Sequence, residues 1–198
     1  MHRYILTGAP GAGKTVLLRA LERAGHAVVE EAATDVIALA QAEGVAEPWT
    51  DPGFVDAIVR LQRQRVTQAV GEIAFFDRSP VCALALARFL GHPVSPLLKA
   101  ELERIEGLYQ RRVFLVQGLG FITPTAARRI SLEDALRFEA VHEEAYHELG
   151  YDLIPIAPGP PAERATAVLR SAPSVTSPIG AAPPPPQAGQ EGTASPHP

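Results

Sequence analysis

Lysine and cysteine are scarce in this sequence of 198 residues, and there is no excess of positive charge. Lys14 and Lys99 are the only lysines among 18 basic side chains, so a lysine here indicates a place that needs a compact point charge. The single cysteine, Cys82, excludes an internal disulfide bond and is typical of a reducing compartment. The net charge of −4 gives no basic excess that would favour nucleic acid as a partner.

Long apolar runs and metal-ligand spacings are also absent. No segment reaches about 18 apolar residues, so we expect no membrane span. No signal-peptide pattern precedes the first strand pattern, and we therefore predict a cytoplasmic protein. His142 and His147 are five positions apart, on different sides of a predicted helix, so we expect no zinc site. Cys82 lies in an apolar helical pattern and is predicted to be a packing residue.

Composition changes sharply near residue 171. The last 28 residues contain eight prolines, one acid (Glu191) and no lysine or arginine. Such a segment cannot bury enough apolar surface to offset its ordering entropy. We therefore predict a folded domain over residues 1–170 and a disordered proline-rich tail over residues 171–198. A site for a proline-binding partner is the alternative for the tail.

A glycine-rich motif lies close to the N-terminus. Residues 8–15 fit the pattern G-x-x-x-x-G-K-[ST]; they are Gly8, Ala9, Pro10, Gly11, Ala12, Gly13, Lys14 and Thr15. A strand pattern precedes the motif and a helical pattern follows it, which is the context of a phosphate-binding loop. The motif predicts a nucleotide site in which Lys14 bridges the β- and γ-phosphates and the Thr15 hydroxyl binds Mg²⁺.

Strand and helix patterns alternate over the rest of the domain. Strands are predicted at residues 3–7, 27–30, 73–77, 112–116 and 152–156, and helices near 16–24, 33–43, 52–70, 80–90, 96–108, 132–149 and 161–169. This alternation predicts an α/β three-layer sandwich, a five-stranded parallel sheet with helices on both faces. Ligands of such sheets lie beyond the carboxyl ends of the strands.

Polar side chains follow three of the predicted strands: Glu30 and Glu31, Asp77 and Arg78, and Gln117. We expect all of them to face the phosphate loop. An apolar strand closed by an acid is typical of a second nucleotide-binding motif, so Asp77 is predicted to hold Mg²⁺ directly or through water. Arg78 is predicted to point towards bound phosphate or substrate, and a solvated or ion-paired arginine is the alternative.

The acids at positions 30 and 31 are candidates for a catalytic base. Phosphorylation of a hydroxyl needs a carboxylate within hydrogen-bond reach of the attacking oxygen. Glu31 is the first candidate, and Glu30 is its rival because the two side chains alternate at the end of a strand. The alternative for Glu31 is a first-turn acid that stabilises the following helix through its dipole.

The segment between the fourth strand and the next helix carries Arg128 and Arg129. A lid at this place would bring guanidinium groups onto the γ-phosphate. Ordinary surface arginines are the alternative. Trp49, Asp51 and Phe121 are candidates for an acceptor pocket in which aromatic faces stack on a ring, and a core position is the alternative for Trp49.

Several of these segments together resemble a small P-loop family that is often labelled an AAA-type ATPase. This family is similar to the nicotinamide-riboside kinase part of a bifunctional NAD-synthesis protein and, more distantly, to deoxynucleoside and thymidylate kinases. The resemblance covers about residues 3–170 and rests on residues 8–15, 31–33, 48–51, 75–78, 127–129 and 146–151.

The resemblance implies a kinase-like core in which Lys14, Thr15 and Asp77 handle Mg-nucleotide. It also implies that Glu31 and Arg78 are directed to the acceptor and that Arg128 and Arg129 are lid arginines. Two positions depart from the family pattern. Thr34 stands where the family often carries an arginine, and Cys82 stands where an acid commonly follows the Asp-Arg motif.

Two function classes follow from the sequence. The first is a small-molecule kinase that transfers the γ-phosphoryl group of ATP to a nucleoside-like or other metabolite, and the second is a regulatory NTPase or switch that acts through a protein or membrane partner. The absence of an N-K-x-D run favours ATP, although GTP is not excluded. The sequence leaves the acceptor unidentified and leaves open a homodimer.

Overall fold

Five parallel strands form one sheet. The computed structural model describes residues 1–118 and 131–172. The strands are β1 (His2–Thr7), β2 (Ala27–Val29), β3 (Ile73–Asp77), β4 (Arg112–Val116) and β5 (Asp152–Ile156). They are ordered β2-β3-β1-β4-β5, and every neighbouring pair is parallel. The predicted α/β fold with a five-stranded parallel sheet is confirmed.

Helices cover both faces of the sheet. They are α1 (Lys14–Arg23), α2 (Ala33–Ala42), α3 (Gly53–Gln68), α4 (Pro80–Leu90), α5 (Pro96–Arg104), α6 (Leu132–Glu148) and α7 (Pro161–Ser171), with a short 3-10 helix at Pro48–Thr50. Alternate residues of β3 point to opposite faces of the sheet and pack in different hydrophobic cores. Phe75 packs with α1 and α7, whereas Phe76 packs with α3 to α6.

Strand β1 lies at the centre of the sheet, between β3 and β4. The chain runs from β1 to β2 and β3 on one side and later to β4 and β5 on the other. Connections that leave a central strand in opposite directions open a crevice at the carboxyl ends of the strands. The loop after β1 and the polar residues that follow β2 and β3 therefore meet at one place.

Several element ends differ from the sequence-based predictions. Strand β2 ends at Val29, one residue before the predicted end. Helix α5 ends at Arg104 instead of near residue 108, and the chain then turns through Gly107, whose φ of 72° ends the helical path. Helix α3 begins at Gly53, whose N–H donates to the Asp51 carboxylate at 2.7 Å.

The buried face of α6 combines apolar and polar side chains. Ala135, Phe138 and Ala145 are buried, but Leu149 is 43% exposed and lies beyond the last helical residue. His142 and Tyr146 complete the buried face instead, because the helix turns by about 100° per residue and places them on the same stripe. In the described ranges, none of the helices is long and apolar enough to cross a membrane.

Candidate functional site

The loop after β1 takes a conformation that requires glycine. Gly8, Gly11 and Gly13 have φ values of 129°, 88° and 86°. A Cβ on Gly8 would lie 2.4 Å from the carbonyl oxygen of Val116 in the neighbouring strand. Only glycine lets the backbone pass this close to β4.

Lys14 places a buried cation against this loop. Its Nζ donates to the carbonyl oxygens of Gly8 at 3.0 Å and Ala9 at 2.9 Å, and the residue is 6% exposed. Burial, with repulsion from Arg78, lowers the pKa of Lys14 to about 8. An anion in the loop would compensate the buried charge, so the loop favours a negatively charged ligand.

Backbone donors face the same space. Within residues 1–118 and 131–172, the N–H groups of Gly11, Gly13, Lys14 and Thr15 donate to no protein acceptor. Successive free N–H groups at the start of α1 form an anion-binding nest, and the helix dipole adds positive potential. The arrangement suits a phosphate chain.

Asp77 lies at the end of β3, beside the loop, and its carboxylate is buried. It is 3% exposed, and its Oδ1 has no hydrogen-bond partner in the described part of the chain. Burial, opposed by the charge of Lys14, raises the pKa of Asp77 to about 6. A cation beside Asp77 would remove much of this cost.

A magnesium ion fits this donor set. The Thr15 hydroxyl and the Asp77 carboxylate line one cavity, and both are hard oxygen ligands. No group of three or more His, Cys, Asp and Glu residues with metal-binding geometry occurs in the described ranges. Mg²⁺ would therefore take its remaining ligands from phosphate and water, as it usually does in nucleotide sites.

Arg78 adopts an unusual backbone and is held by partners from two distant segments. Among the described residues, Arg78 is the only non-glycine residue with a positive φ, which is 76°. Its Nε donates to Glu31, and its Nη1 donates to the Nε2 of His142 at 3.0 Å. The Nδ1–H of His142 donates to the Phe138 carbonyl at 2.8 Å, which assigns a neutral imidazole that accepts from Arg78. Strain of this kind concentrates at functional sites.

Glu31 and Glu30 lie on different sides of the β2–α2 turn. Glu31 lines the cavity, where it accepts from Arg78 and from the Thr34 hydroxyl at 3.1 Å. Burial acts to raise the pKa of Glu31, but Arg78 and Lys14 outweigh it and hold the pKa below its usual value. Glu30 is exposed and pairs with Arg19 outside the cavity. The expectation that Glu30 also faces the loop is therefore wrong.

A buried polar network lies behind Arg78. The Cys82 Sγ is 3.4 Å from the Thr7 hydroxyl and 3.2 Å from the Tyr146 hydroxyl, which also bonds to Ser79 at 2.7 Å. The Ser79 Oγ accepts from the Val81 N–H and so caps α4. Cys82 thus joins a hydrogen-bonded network as well as packing in the core.

The cavity continues from the loop into an apolar chamber between α2, α3, α4 and α6. The whole cavity, including the part beside the phosphate loop, has a volume of about 760 Å³. Apolar side chains form most of the chamber wall: Ile37, Trp49, Phe54, Ile58, Leu86, Phe89, Leu90 and Phe138. A mainly apolar and aromatic chamber suits a small molecule with a ring.

Gln62 is the polar exception on the α3 side of this chamber. It is 5% exposed, lines the cavity, and its Oε1 has no hydrogen-bond partner in the described part of the chain. A buried amide without a partner costs about 1–3 kcal/mol. A ligand that hydrogen-bonds to this amide would remove the cost.

The remaining predicted site residues have different positions. Trp49 lines the cavity and packs against the α2–α3 core, a position that fits either of its predicted roles. Asp51 is exposed and is not among the cavity residues; it binds the start of α3 instead. The side chain of Gln117 does not line the cavity either. Phe121, Arg128 and Arg129 lie outside the described residues.

Sequence reasoning missed four polar residues near the site. Gln62, His142 and Arg164 are buried, and Glu139 accepts from the Ala9 N–H of the loop at 2.9 Å. Gln62 and His142 interrupt apolar helix stripes at a spacing of four, as Gln62 does between Ile58 and Val66. A polar residue within an apolar stripe was the available signal.

A family model described as AAA domain matches residues 3–164 of the chain. No curated protein matches at a significant level.

Solved structures with similar folds include three small-molecule-binding proteins. NadR protein in complex with NAD and AMP-PNP has a TM-score of 0.59 and 16% identity over 86% of this chain, which spans 48% of the NadR chain. Deoxyadenosine kinase from M. mycoides with dCMP and dCDP has a TM-score of 0.55 and 14% identity over 85% of this chain, which spans 97% of that kinase. Shikimate kinase from Acinetobacter baumannii with shikimate has a TM-score of 0.50 and 15% identity over 86% of this chain, which spans 92% of that kinase. At these identities the likeness shows the fold alone.

Proposed function

The chain belongs to the AAA domain family, and we propose that it is an ATP-dependent phosphotransferase that acts on a small alcohol with a ring. One observation carries the proposal: the cavity that contains Lys14, Asp77 and Glu31 extends into an apolar chamber. A phosphate site joined to a chamber for a second molecule is what group transfer requires. An NTPase that only switches conformation needs no such chamber.

The loop residues would hold the nucleotide. The free N–H groups and Lys14 bind the β- and γ-phosphates, and Thr15 and Asp77 are the residues that would hold Mg²⁺. The ion supplies charge neutralisation on the phosphate oxygens when bound. The complex of NadR with AMP-PNP, an ATP analogue, supports ATP as the nucleotide.

Glu31 would accept the proton of the acceptor hydroxyl. The acceptor oxygen bonds to the γ-phosphorus as the bond from that phosphorus to the β–γ bridging oxygen breaks, and ADP leaves. Arg78 keeps Glu31 ionised, because the pKa of Glu31 is held below its usual value. A general base of this kind contributes roughly 10²–10⁴ in rate.

The chamber supports a neutral acceptor of nucleoside size. Its wall is mainly apolar and aromatic, and Gln62 offers an amide in position to pair with the polar edge of a ring. The bound products of deoxyadenosine kinase, dCMP and dCDP, agree with this class.

Product analysis with γ-labelled ATP, Mg²⁺ and separate panels of nucleosides and phosphorylated sugars tests the proposal. We expect label on a nucleoside-like acceptor. Label in inorganic phosphate alone, with every acceptor, would support the regulatory NTPase that the sequence leaves open.

Gln62→Leu should raise the KM for the acceptor at least tenfold and leave the KM for ATP within twofold, because it removes only the amide in the chamber. Gln68→Leu, at the far end of α3, is the matched control.

A further inference from the structure

Arg164 of α7 lies behind the phosphate loop, on the side away from the cavity. It is 5% exposed. Its Nη1 donates to the Ala12 carbonyl at 2.8 Å, and its Nη2 donates to the Gln117 carbonyl at 3.0 Å and the Ile156 carbonyl at 3.4 Å. One guanidinium thus ties the loop to the ends of β4 and β5.

The charge of Arg164 has no acidic partner in the described ranges. All of its hydrogen bonds go to carbonyl groups, and its Nε has no partner there. None of the ion pairs among the described residues includes it. A buried cation without an anion is costly, so its presence calls for an anion close by.

The peptide between Ala12 and Gly13 connects this cation to the loop interior. Arg164 binds the oxygen of that peptide, and the Gly13 N–H on the same peptide donates to no described acceptor. No peptide bond among the described residues is cis, so the C=O and N–H of this peptide point in opposite directions. Hydrogen bonds at the two ends of one peptide polarise each other, and the guanidinium therefore strengthens the N–H as a donor.

We propose that Arg164 is a positioning residue for recognition of the β-phosphate. It fixes the Ala12–Gly13 peptide with its N–H directed into the loop, and it adds a fixed positive charge behind the anion site. The inference rests on the proposed function only for the identity of the loop ligand as a nucleotide.

The test compares ADP with AMP, which lacks the β-phosphate. Binding of each is measured by titration calorimetry with the full chain, as wild type, Arg164→Met, Arg164→Lys and Arg170→Met. Arg164→Met should weaken ADP binding about 10- to 100-fold, the range of a charge-assisted hydrogen bond, and should change AMP binding less than threefold. Arg164→Lys should recover most of the ADP affinity, and Arg170→Met, at an exposed position of α7, should match the wild type.

Two outcomes overturn the inference. In the first, Arg164→Met binds ADP and AMP with the wild-type ratio; in the second, it weakens both equally, as a general loss of structure would. If Arg164→Met does not fold, Arg164→Gln, which keeps a donor but removes the charge, decides: a wild-type ADP-to-AMP ratio together with lower thermal stability would reduce Arg164 to a structural role. A wild-type protein that binds neither nucleotide refutes the proposed function itself.

Discussion

At the scale of single residues, the neighbours Asp77 and Arg78 differ in how their side chains are hydrogen-bonded. They are adjacent at the end of β3, yet Asp77 keeps an unbonded oxygen while Arg78 is bonded to Glu31 and His142. The sequence predicted both as site residues because an apolar strand ends there. It could not predict the partner His142, which lies 64 positions away, because only the folded chain brings α6 to β3.

Asp77 should stabilise the free protein less than a neutral residue would. The pKa of its buried carboxyl is raised from 3.8 to about 6, so the folded state binds the proton more tightly than the unfolded chain between these values. Its contribution to the free energy of unfolding therefore falls as the pH rises through this window, by about 2–3 kcal/mol in total. Without nucleotide, Asp77→Asn should melt at a higher temperature than the wild type at pH 8, and the difference should shrink at pH 5.

The same substitution should abolish turnover, because an amide cannot replace the carboxylate in a magnesium site. Asp152→Asn, at an exposed strand position, is the control and should show no pH-dependent difference. A lower melting temperature for Asp77→Asn at pH 8 would show that the carboxylate is already paired in the free protein.

At the scale of elements, the β2–α2 turn positions the candidate base. Arg65 of α3 donates to the carbonyl groups of Glu30 and Glu31 and pairs with Asp35 of α2. The guanidinium thus holds the backbone that carries Glu31 from a separate helix. Periodicity predicted α2 and α3, but a contact between a helix side chain and a turn carbonyl has no pattern in sequence.

Arg65→Met should reduce kcat about tenfold and leave the KM for ATP within twofold, because it loosens Glu31 without touching the phosphate loop. The melting temperature should fall by a few degrees from the lost hydrogen bonds. Steady-state kinetics and thermal unfolding measure the two effects. Arg60→Met, an exposed residue of the same helix, is the matched control. Equal loss of kcat in both variants would argue against the role of Arg65.

At the scale of the whole molecule, apolar runs were enough to predict five strands and their parallel arrangement. The bounds of β3, β4 and β5 agree with the prediction, because each is a short apolar or β-branched run between polar turns. The strand order was not predictable, since it depends on which helices pack together. The apolar chamber was equally hidden, because its wall combines side chains of α2, α3 and α4 with those of α6, from a later part of the chain.

The tail gives a prediction about the whole chain. The described structure extends to Ala172, which is 5% exposed, and the Ser171 carbonyl accepts from Arg112 at 3.1 Å. Removal of residues 173–198 should therefore leave the melting temperature within a degree or two, because the composition of residues 171–198 predicts a disordered tail. Removal of residues 171–198 should lower it by a few degrees more. A large loss in the shorter truncation would show that the tail packs on the domain.

The central claim is that the cavity is a phosphoryl-transfer site with Glu31 as its base. The most direct measurement compares Glu31→Gln with Glu30→Gln in transfer of labelled phosphate from ATP to an acceptor, alongside the Kd for ATP. We predict that Glu31→Gln lowers kcat by at least about 100-fold with the Kd for ATP unchanged within threefold, and that Glu30→Gln behaves as the wild type. Retained transfer in Glu31→Gln, or its loss in Glu30→Gln, would contradict the account.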